Sequence, residues 1–307
     1  MAQRPRQPAA PAASAAARTP VHLTRAIVFP GCDYGIITMQ DQDCAPLHTH
    51  DFDELVIITG GSGLHVIDTE QYPLIRGDAF VIRGDHVHAF RNAVGLRLTN
   101  ILFTRTRFDA ITEQCRDMPG FHALFVLEPQ LRHTHHFEAK LHLTAPQLNY
   151  VVHLVDLLRE EQQMNAPGSV LAIESLVILI IIAVCRYYST TDTGNCRALV
   201  RVSKAIRHLE DHYVSSVPLT TLARIANMPV RSFRRAFKQA TGCAASVYLL
   251  RLRIERAAEL LTHPDVNVTS VAFDVGFDNS SYFAHQFRKV MGVTPRVYIA
   301  RHRALQP

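Results

Sequence analysis

The sequence predicts an α+β protein, with a small antiparallel β-barrel in its N-terminal half and an all-α domain in its C-terminal half. Short β-rich runs separated by Gly and Asp turn signals fill residues 21–103. Apolar residues then recur at helical spacing through the rest of the chain. The charge divides in the same way: residues 196–307 carry 17 Lys and Arg against 7 Asp and Glu, whereas the first 195 residues carry 15 against 20. Only the C-terminal half, with its net charge of +10, is therefore suited to a polyanion.

Residues 1–20 are predicted to be a disordered tail. They contain Ala, Pro and basic residues but no large apolar residue after Met1, so burial cannot offset the entropy lost on ordering. The six cysteines of the chain show no C-x-x-C spacing, and no secretory leader precedes them. We therefore expect reduced thiols in a cytoplasmic protein.

Residues 21–105 are predicted to form the barrel, and four polar residues are expected to share its interior. His48 and His50 stand at positions i and i+2 of one strand, so their side chains face the same side. Glu54 joins them with matching parity if no bulge intervenes, and His88 lies on a later strand. Three imidazoles and a carboxylate suit Zn, Fe, Mn or Ni. The same residues also suit the lining of a sugar-sized effector pocket, or a purely structural hydrogen-bonded barrel mouth.

Residues 106–188 are predicted to form a helical segment that packs on the barrel or supplies a dimer interface. A first helix follows Thr144 with apolar residues at helical spacing, and the second, over residues 169–188, is almost wholly apolar. Glu174 leaves only 11 residues before Arg186, too few to span about 30 Å of hydrocarbon. We therefore expect a buried helix, no membrane partner, and a homodimer formed through the helix pair.

The polar residues 189–197 are predicted to be a linker to an all-α domain over residues 198–307. Within that domain, residues 219–242 and 268–291 each read as a short helix, a tight turn and a second helix that ends at a Gly. These are the parts of a helix-turn-helix. A long helix over about residues 246–261 joins the two motifs.

The second helix of the first motif carries basic residues on faces away from Phe233 and Phe237. An Arg side chain can donate two hydrogen bonds to guanine, so this helix in a basic domain predicts contact with double-stranded DNA. A stiff connecting helix would place the second helices of both motifs in successive major grooves, about 34 Å apart. The predicted DNA contacts are Arg231, Arg234, Arg235 and Lys238 in the first motif and Asn279, Ser281, Tyr282 and His285 in the less basic second motif.

The second helix-turn-helix motif and the helix before it match a long spaced signature at Arg253, Ile254, Ala257, Leu261, Val268, Val271, Ala272, Gly276, Phe277, Phe283, Phe287, Thr294 and Pro295. Through these positions the sequence resembles the AraC/XylS family of bacterial transcription regulators. The N-terminal stretches LHTHDFDELVIITGGSGLHVI and PGFHALFVLEP resemble the cupin-type sensor of the L-rhamnose-responsive members. Two departures are Pro229, where the family commonly has a capping Ser, and residues 83–85, where cupins usually have a Pro-x-Gly turn.

The resemblance implies a cupin-like barrel and a cytoplasmic, dimeric transcription activator. Its expected partners are promoter DNA, RNA polymerase and a small-molecule effector such as a monosaccharide. Two alternatives remain open. One is a metal-dependent cupin enzyme fused to a DNA-binding domain, which would use a divalent metal at His48, His50, Glu54 and His88. The other is a constitutive dimeric DNA-binding protein with a vestigial barrel. No separate acid/base pair has a spacing that demands catalysis, so no enzyme activity is expected.

Overall fold

A computed structural model describes residues 20–303, apart from residues 30–31, 41–45, 68–69, 85, 116, 135–139, 165, 192 and 264–265. The predicted tail, residues 1–20, lies outside the described residues except for Pro20. The order of elements follows the prediction, because a β-rich region comes first and a run of helices follows.

The β-rich region is one sheet of eight described strands. In chain order they are β1 (Val21–Leu23), β2 (Tyr34–Gln40), β3 (His48–His50), β4 (Phe52–Ile67), β5 (Glu70–Ile75), β6 (Asp78–Ile82), β7 (His88–Thr104) and β8 (Leu141–His142). The order in the sheet is β1-β3-β7-β4-β6-β8, with β2 paired to β7 and β5 paired to β4. Two features correct the predicted antiparallel barrel: β1 pairs with β3 in parallel, and the pairings of the described strands do not close into a ring. The connection from β1 to β3 is long enough for the crossover that parallel pairing requires.

The two longest strands, β4 and β7, hold the sheet together. One half of β4 pairs with β6 and the other half with β5, while β7 runs antiparallel beside almost its whole length. Register shifts interrupt the middle of this pairing, at the point where Gly61 has a φ of +66°. A Cβ on Gly61 would lie 2.0 Å from the carbonyl oxygen of Gly95, so only glycine lets the two backbones approach so closely.

The predicted helical segment, residues 106–188, contains helices and also the strand β8. Because β8 pairs Leu141 with Ala79 and His142 with Asp78 on β6, this segment contributes an edge to the sheet. A strand of two residues has no alternating pattern to reveal it.

The helices that precede residue 191 are, in chain order, α1 (Arg25–Val28), α2 (Arg105–Gln114), α3 (Pro119–Phe121), a π-helix (His122–Leu127), α4 (Glu128–Thr134), α5 (Ala145–Met164) and α6 (Ser169–Thr190).

Helices α5 and α6 pack against each other as a hairpin. By length and composition alone α6 is apolar enough to cross a membrane, although core helices of water-soluble proteins pass the same test. Its Val177, Ile180, Ile181 and Val184 are fully buried against the rest of the chain, as the sequence predicts. The apolar side chains that stay exposed on the hairpin are Tyr150, Leu157, Met164, Val170, Leu171 and Leu179.

The predicted linker, residues 189–197, is mostly helical. Helix α6 continues through Thr190, and α7 (Gly194–Asp211) begins just after Thr193. The side chain of Thr193 accepts a hydrogen bond from the backbone N–H of Cys196 and so caps α7. The polar composition that indicates a linker therefore reflects a helix N-terminus instead.

Helix α7 packs directly on α3 and the π-helix. The Ser203 hydroxyl donates to the backbone carbonyl of Pro119 at 3.0 Å, and the Arg207 guanidinium donates to Asp117 at 2.9 Å. The helical C-terminal half is therefore joined to the N-terminal half by packed helices.

The remaining helices form two similar pairs separated by α10. They are α8 (Leu219–Ile225), α9 (Val230–Thr241), α10 (Ala245–Leu260), α11 (Val268–Asp274), α12 (Ser280–Met291) and α13 (Pro295–Arg303). We call α8 with α9 the first helix pair and α11 with α12 the second helix pair. In each pair a helix of 7 residues precedes one of 12, and the longer helix ends at a left-handed Gly, Gly242 or Gly292. Both pairs bury a Phe at the fourth and eighth positions of the longer helix.

The two helix pairs belong to different hydrophobic cores. One cluster of buried residues continues from the sheet into the first helix pair, and its members include Ile57, Val81, Phe125, Val184, Val202, Phe233 and Phe237. A separate cluster holds the second helix pair, with Ile254, Ala257, Val271, Phe283 and Phe287 among its members. The N-terminal half of α10 packs on the first cluster and its C-terminal half on the second.

Candidate functional site

Three of the four polar residues predicted to share the barrel interior come together. His48 and His50 lie on β3, and His88 begins β7 as the register partner of His48. One ring nitrogen from each of the three lies within 4.8 Å of the other two. His50 and His88 are buried, at 2% and 0% exposure, whereas His48 is half-buried. The histidine cluster is therefore an interior feature that meets solvent on the side of His48.

Each imidazole of this cluster is oriented by a backbone carbonyl two residues away. The bonds join Nδ1 of His48 to Pro46 at 2.8 Å, of His50 to Phe52 at 2.6 Å and of His88 to His86 at 3.1 Å. A carbonyl only accepts, so each bond requires the proton on Nδ1 and leaves a lone pair on Nε2. Nε2 of His50 and of His88 has no hydrogen-bond partner among the described residues. Fixing Nδ1 in this way is the usual arrangement for a histidine that binds a metal or accepts a hydrogen bond through Nε2.

Glu54, the fourth predicted ligand, lies beside the histidine cluster and not within it. A bend at Asp51 separates β3 from β4, and the Glu54 carboxyl still reaches the ring of His50, as matching parity predicts. One carboxyl oxygen accepts a hydrogen bond from Asn100 at 2.9 Å, and the other lies 3.5 Å from Nε2 of His50. Burial, with a smaller contribution from Asp53, raises the pKa of Glu54 to about 8. Burial lowers the pKa of His50 to about 4, so the pair is polar but uncharged near neutral pH.

His65 also reaches this end of the sheet, and sequence reasoning did not identify it. Its side chain is fully buried, and its ring centre lies 5.8 Å from that of His88. It lies opposite Phe90 in the register of β4 and β7, which places it near the start of β7. The strand register is what places His65 near the histidine cluster, and the sequence alone does not supply that register.

All eight residues predicted to contact DNA are exposed. The basic side chains of α9 are on the surface, while Phe233 and Phe237 of the same helix are buried at 0% and 1% exposure. On α12, Phe283 and Phe287 are likewise buried. The exposed residues are Arg231, Arg234, Arg235 and Lys238 on α9, and Asn279, Ser281, Tyr282 and His285 at the start of α12. Within the described part of the chain, the four basic residues of α9 form no ion pair with an acidic residue. Their charge is therefore available to an external polyanion.

The N-termini of α9 and α12 are capped differently. Pro229 precedes α9 and provides no side-chain cap, as its departure from the family pattern predicts. Asn279 caps α12, because its side-chain oxygen accepts a hydrogen bond from the backbone N–H of Tyr282 at 2.9 Å. The side-chain amide nitrogen of Asn279 is therefore the atom suited to donate a hydrogen bond to a base.

The internal repeat identifies a further exposed basic residue. Helices α9 and α12 start 50 residues apart, so Lys238 and Arg288 occupy the same helical position. Arg288 is exposed like Lys238, although it was not among the predicted contacts. Aligning the two motifs at this offset would have identified it from the sequence. At the same offset Ala284 stands in the place of Arg234, which explains why the second helix is less basic.

Comparisons with known proteins match both halves of the chain. Residues 31–165 match the AraC-like ligand binding domain, and residues 222–301 match a helix-turn-helix domain. The HTH-type transcriptional activator RhaS of Pectobacterium carotovorum subsp. carotovorum (strain PC1) is 30% identical over 266 residues, which cover 86% of this chain and 90% of that protein. The HTH-type transcriptional activator RhaR of the same strain is 29% identical over 262 residues, covering 85% and 88%. RhaS of Escherichia fergusonii is 29% identical over 255 residues, covering 83% and 87%.

These relatives are transcription regulators and not enzymes, and they match the chain through both of its parts. The resemblance predicted from the signature residues is confirmed. A ligand-binding domain in the N-terminal half, a helix-turn-helix domain in the C-terminal half and similarity over most of the length show that this chain belongs to the AraC family of transcription regulators.

Proposed function

We propose that this chain is a transcription activator that reads promoter DNA with both helix pairs and responds to a small molecule held in its β-rich N-terminal domain. In this proposal residues 21–105 bind the effector, residues 106–188 form the dimer, and residues 198–307 bind DNA. The relatives are named transcriptional activators, which supports activation at a promoter and hence contact with RNA polymerase in the cytoplasm. The match to a ligand-binding domain supports the response to an effector.

The observation that carries DNA binding is the pair of equivalent helices, α9 and α12, with exposed polar faces opposite buried Phe residues. Helix α10, of 16 residues, is about 24 Å long and connects the two helix pairs. A connection of this length supports placing α9 and α12 in successive major grooves on one face of the duplex. Helix α9 should contribute more to base recognition than α12, because it carries four basic residues and guanidinium groups can bind guanine with two hydrogen bonds.

The proposed effector site is the histidine cluster with Glu54 and Asn100. Nε2 of His50, Nε2 of His88 and Oδ1 of Asn100 are buried acceptors that lack a hydrogen-bond donor among the described residues. Leaving such acceptors unpaired costs about 1–3 kcal/mol each, and a ligand rich in hydroxyl groups would supply the donors. Together with the resemblance to L-rhamnose-responsive members, this chemistry favours a monosaccharide.

The exposed apolar residues of the α5–α6 hairpin support a homodimer. Leu157 and Met164 follow Tyr150 at intervals of seven residues, so all three lie along one side of α5. Leu171 and Leu179 are exposed on α6. A second copy of the chain would remove these side chains from water.

The DNA-binding proposal is tested by footprinting on the promoter beside the gene. We expect protection of about two helical turns per subunit. Arg234→Ala should weaken binding by about 1–3 kcal/mol and relax the base preference at one position. Arg105→Ala, which removes an equal charge from the exposed surface of α2, is the matched control and should leave binding unchanged. Absence of a protected site would contradict the proposal, and equal weakening by Arg234→Ala on all sequences would reduce Arg234 to a phosphate contact.

The effector proposal is tested by footprinting and thermal melting with and without candidate sugars. A responsive protein should change its footprint and gain melting temperature with one sugar and not with its epimers. A footprint and a melting temperature that no sugar changes would favour the constitutive DNA-binding alternative.

A divalent transition metal is a second candidate ligand of the histidine cluster. Two observations favour it: the Nδ1–carbonyl bonds leave a lone pair on each Nε2, and one ring nitrogen of each histidine lies within 4.8 Å of the other two. Nitrogen ligands on Zn²⁺ lie about 3.3 Å apart at a metal–nitrogen distance of about 2.0 Å, so small side-chain rotations would bring the cluster to that size. His48, His50 and His88 would hold the ion, which would supply a Lewis-acidic anchor for effector hydroxyls. Elemental analysis of protein purified without chelator decides between the two: one metal per chain favours the metal, and none favours direct binding of the effector.

A further inference from the structure

Arg253, on the middle of α10, binds the loop that connects α7 to α8. Its Nε donates to the carbonyl of Tyr213 at 2.6 Å, and one terminal nitrogen donates to the carbonyls of Val214 and Ser215, each at 3.1 Å. The planar guanidinium is suited to bridge several acceptors in a fixed geometry, which a lysine ammonium is not. This one side chain therefore holds three consecutive backbone carbonyls.

The second helix pair contacts the same loop from the other side. Gly276, in the turn between α11 and α12, has a φ of +88°, and a Cβ there would lie 2.2 Å from the carbonyl oxygen of Val214. The Arg253 guanidinium lies 5.9 Å from the ring centre of Phe277, the next residue. The Tyr213 side chain packs against the core of the second helix pair. The 213–215 loop thus fills the space between α10 and the turn of the second helix pair.

Beyond these contacts the two helix pairs are separated by an open cleft. The cleft has a volume of about 680 Å³ and is lined by Arg234 of α9, by Asp278 just before α12, and by Arg253. Because the halves of α10 belong to different cores, bending of α10 near its middle would tilt one helix pair relative to the other. Arg253 is the ninth of the 16 residues of α10, which is the place where such bending would occur.

We propose that Arg253 is a positioning residue that fixes the angle between the two helix pairs, and so sets the spacing and helical phase of the two DNA segments that one subunit reads. This inference rests on the proposed function, in which both helix pairs bind DNA. Arg253 acts through the 213–215 loop and need not touch DNA. The chain thereby gains selectivity for the distance between two segments in addition to selectivity for their bases.

The test measures the dissociation constant for DNA with the natural spacing and for DNA with one base pair inserted between the two segments. One base pair moves a segment by about 3.4 Å and turns it by about 34°, so a rigid protein cannot bind both segments of the altered site. We expect the wild-type protein to prefer the natural spacing by tenfold or more. In Arg253→Gln this preference should fall to about threefold or less, because affinity for the natural spacing is lost while affinity for the first segment alone is kept.

Three controls separate positioning from other roles. Arg256→Gln, which removes a neighbouring guanidinium that donates to Glu259 of the same helix, should keep the wild-type preference. In Arg253→Lys the preference for the natural spacing should be intermediate, because this variant keeps the charge but loses the planar guanidinium that bridges the three carbonyls. On DNA that carries the first segment alone, the slope of the logarithm of affinity against the logarithm of salt concentration should not change in Arg253→Gln, whereas loss of a phosphate contact by Arg253 itself would lower it by about one.

An Arg253→Gln protein that keeps the full preference for spacing would overturn the inference while leaving DNA binding by both helix pairs intact. A wild-type protein that binds the natural spacing no better than the first segment alone would overturn the two-pair function and, with it, the role of Arg253. If Arg253→Gln does not fold, Gly276→Ala perturbs the same contact from the opposite side. It should lower the preference for the natural spacing, and an unchanged preference would again overturn the inference.

Discussion

Replacing the buried Phe at the eighth position of each longer helix should destabilise different parts of the protein. Phe237 and Phe287 are buried at 1% and 0% exposure, but they belong to separate hydrophobic clusters. Truncation of a fully buried Phe to Ala costs about 3–5 kcal/mol, since the lost contacts leave a cavity. At about 1.4 kcal/mol for each factor of ten, the opening equilibrium of the affected part should rise by roughly two to four orders of magnitude.

Hydrogen exchange read by mass spectrometry measures this effect segment by segment. In Phe287→Ala we expect faster exchange in α11, α12 and α13, with unchanged protection of β4, β7 and α7. In Phe237→Ala we expect faster exchange in α7 and the π-helix as well as in α8 and α9, because all four elements share one core. Each variant is the control for the other, as the two substitutions are chemically identical and occupy equivalent positions. Equal loss of protection across the whole chain in both variants would refute the division into two cores.

Three further outcomes follow from described contacts. Arg132 and Glu128 form a buried ion pair, so Arg132→Met should lower the free energy of unfolding in urea by about 3–5 kcal/mol, whereas the double variant with Glu128→Leu should recover most of the loss. His88→Ala should abolish the shift in melting temperature caused by the effector, while His153→Ala, at an exposed position of α5, should leave that shift unchanged. Asn279→Ala should lower the stability of α12 by about 0.5–2 kcal/mol through loss of the cap, seen as faster exchange in its first turn.

The helices of the C-terminal half were largely predictable. Phe233 and Phe237 recur at helical spacing, and Gly242, where the sequence predicts the end of the second helix of the motif, ends α9 in a left-handed conformation. Such signals are local, because periodicity, caps and stops lie within a few residues of one another. The predicted exposure of the basic residues followed from the same periodicity.

What the sequence could not reveal depends on pairing between distant residues. The strand β8 is two residues long and exists because it adds to β6. His65 joins the interior through its register with β7. The polar run at residues 189–197 indicates a linker by composition, yet Thr193 uses its hydroxyl to start a helix there.

The packing of α7 against the N-terminal half also determines where two such regulators can be joined in a hybrid protein. A fusion boundary placed in the polar run before α7 would strip α7 from the π-helix and expose apolar side chains such as Phe125 and Val202 on the two fragments. The second helix pair, with its own core, has no such dependence on the sheet. A hybrid regulator should therefore keep the N-terminal half together with the first helix pair, and exchange only the part of the chain beyond the middle of α10. Recognition of a new operator would then be introduced one DNA segment at a time.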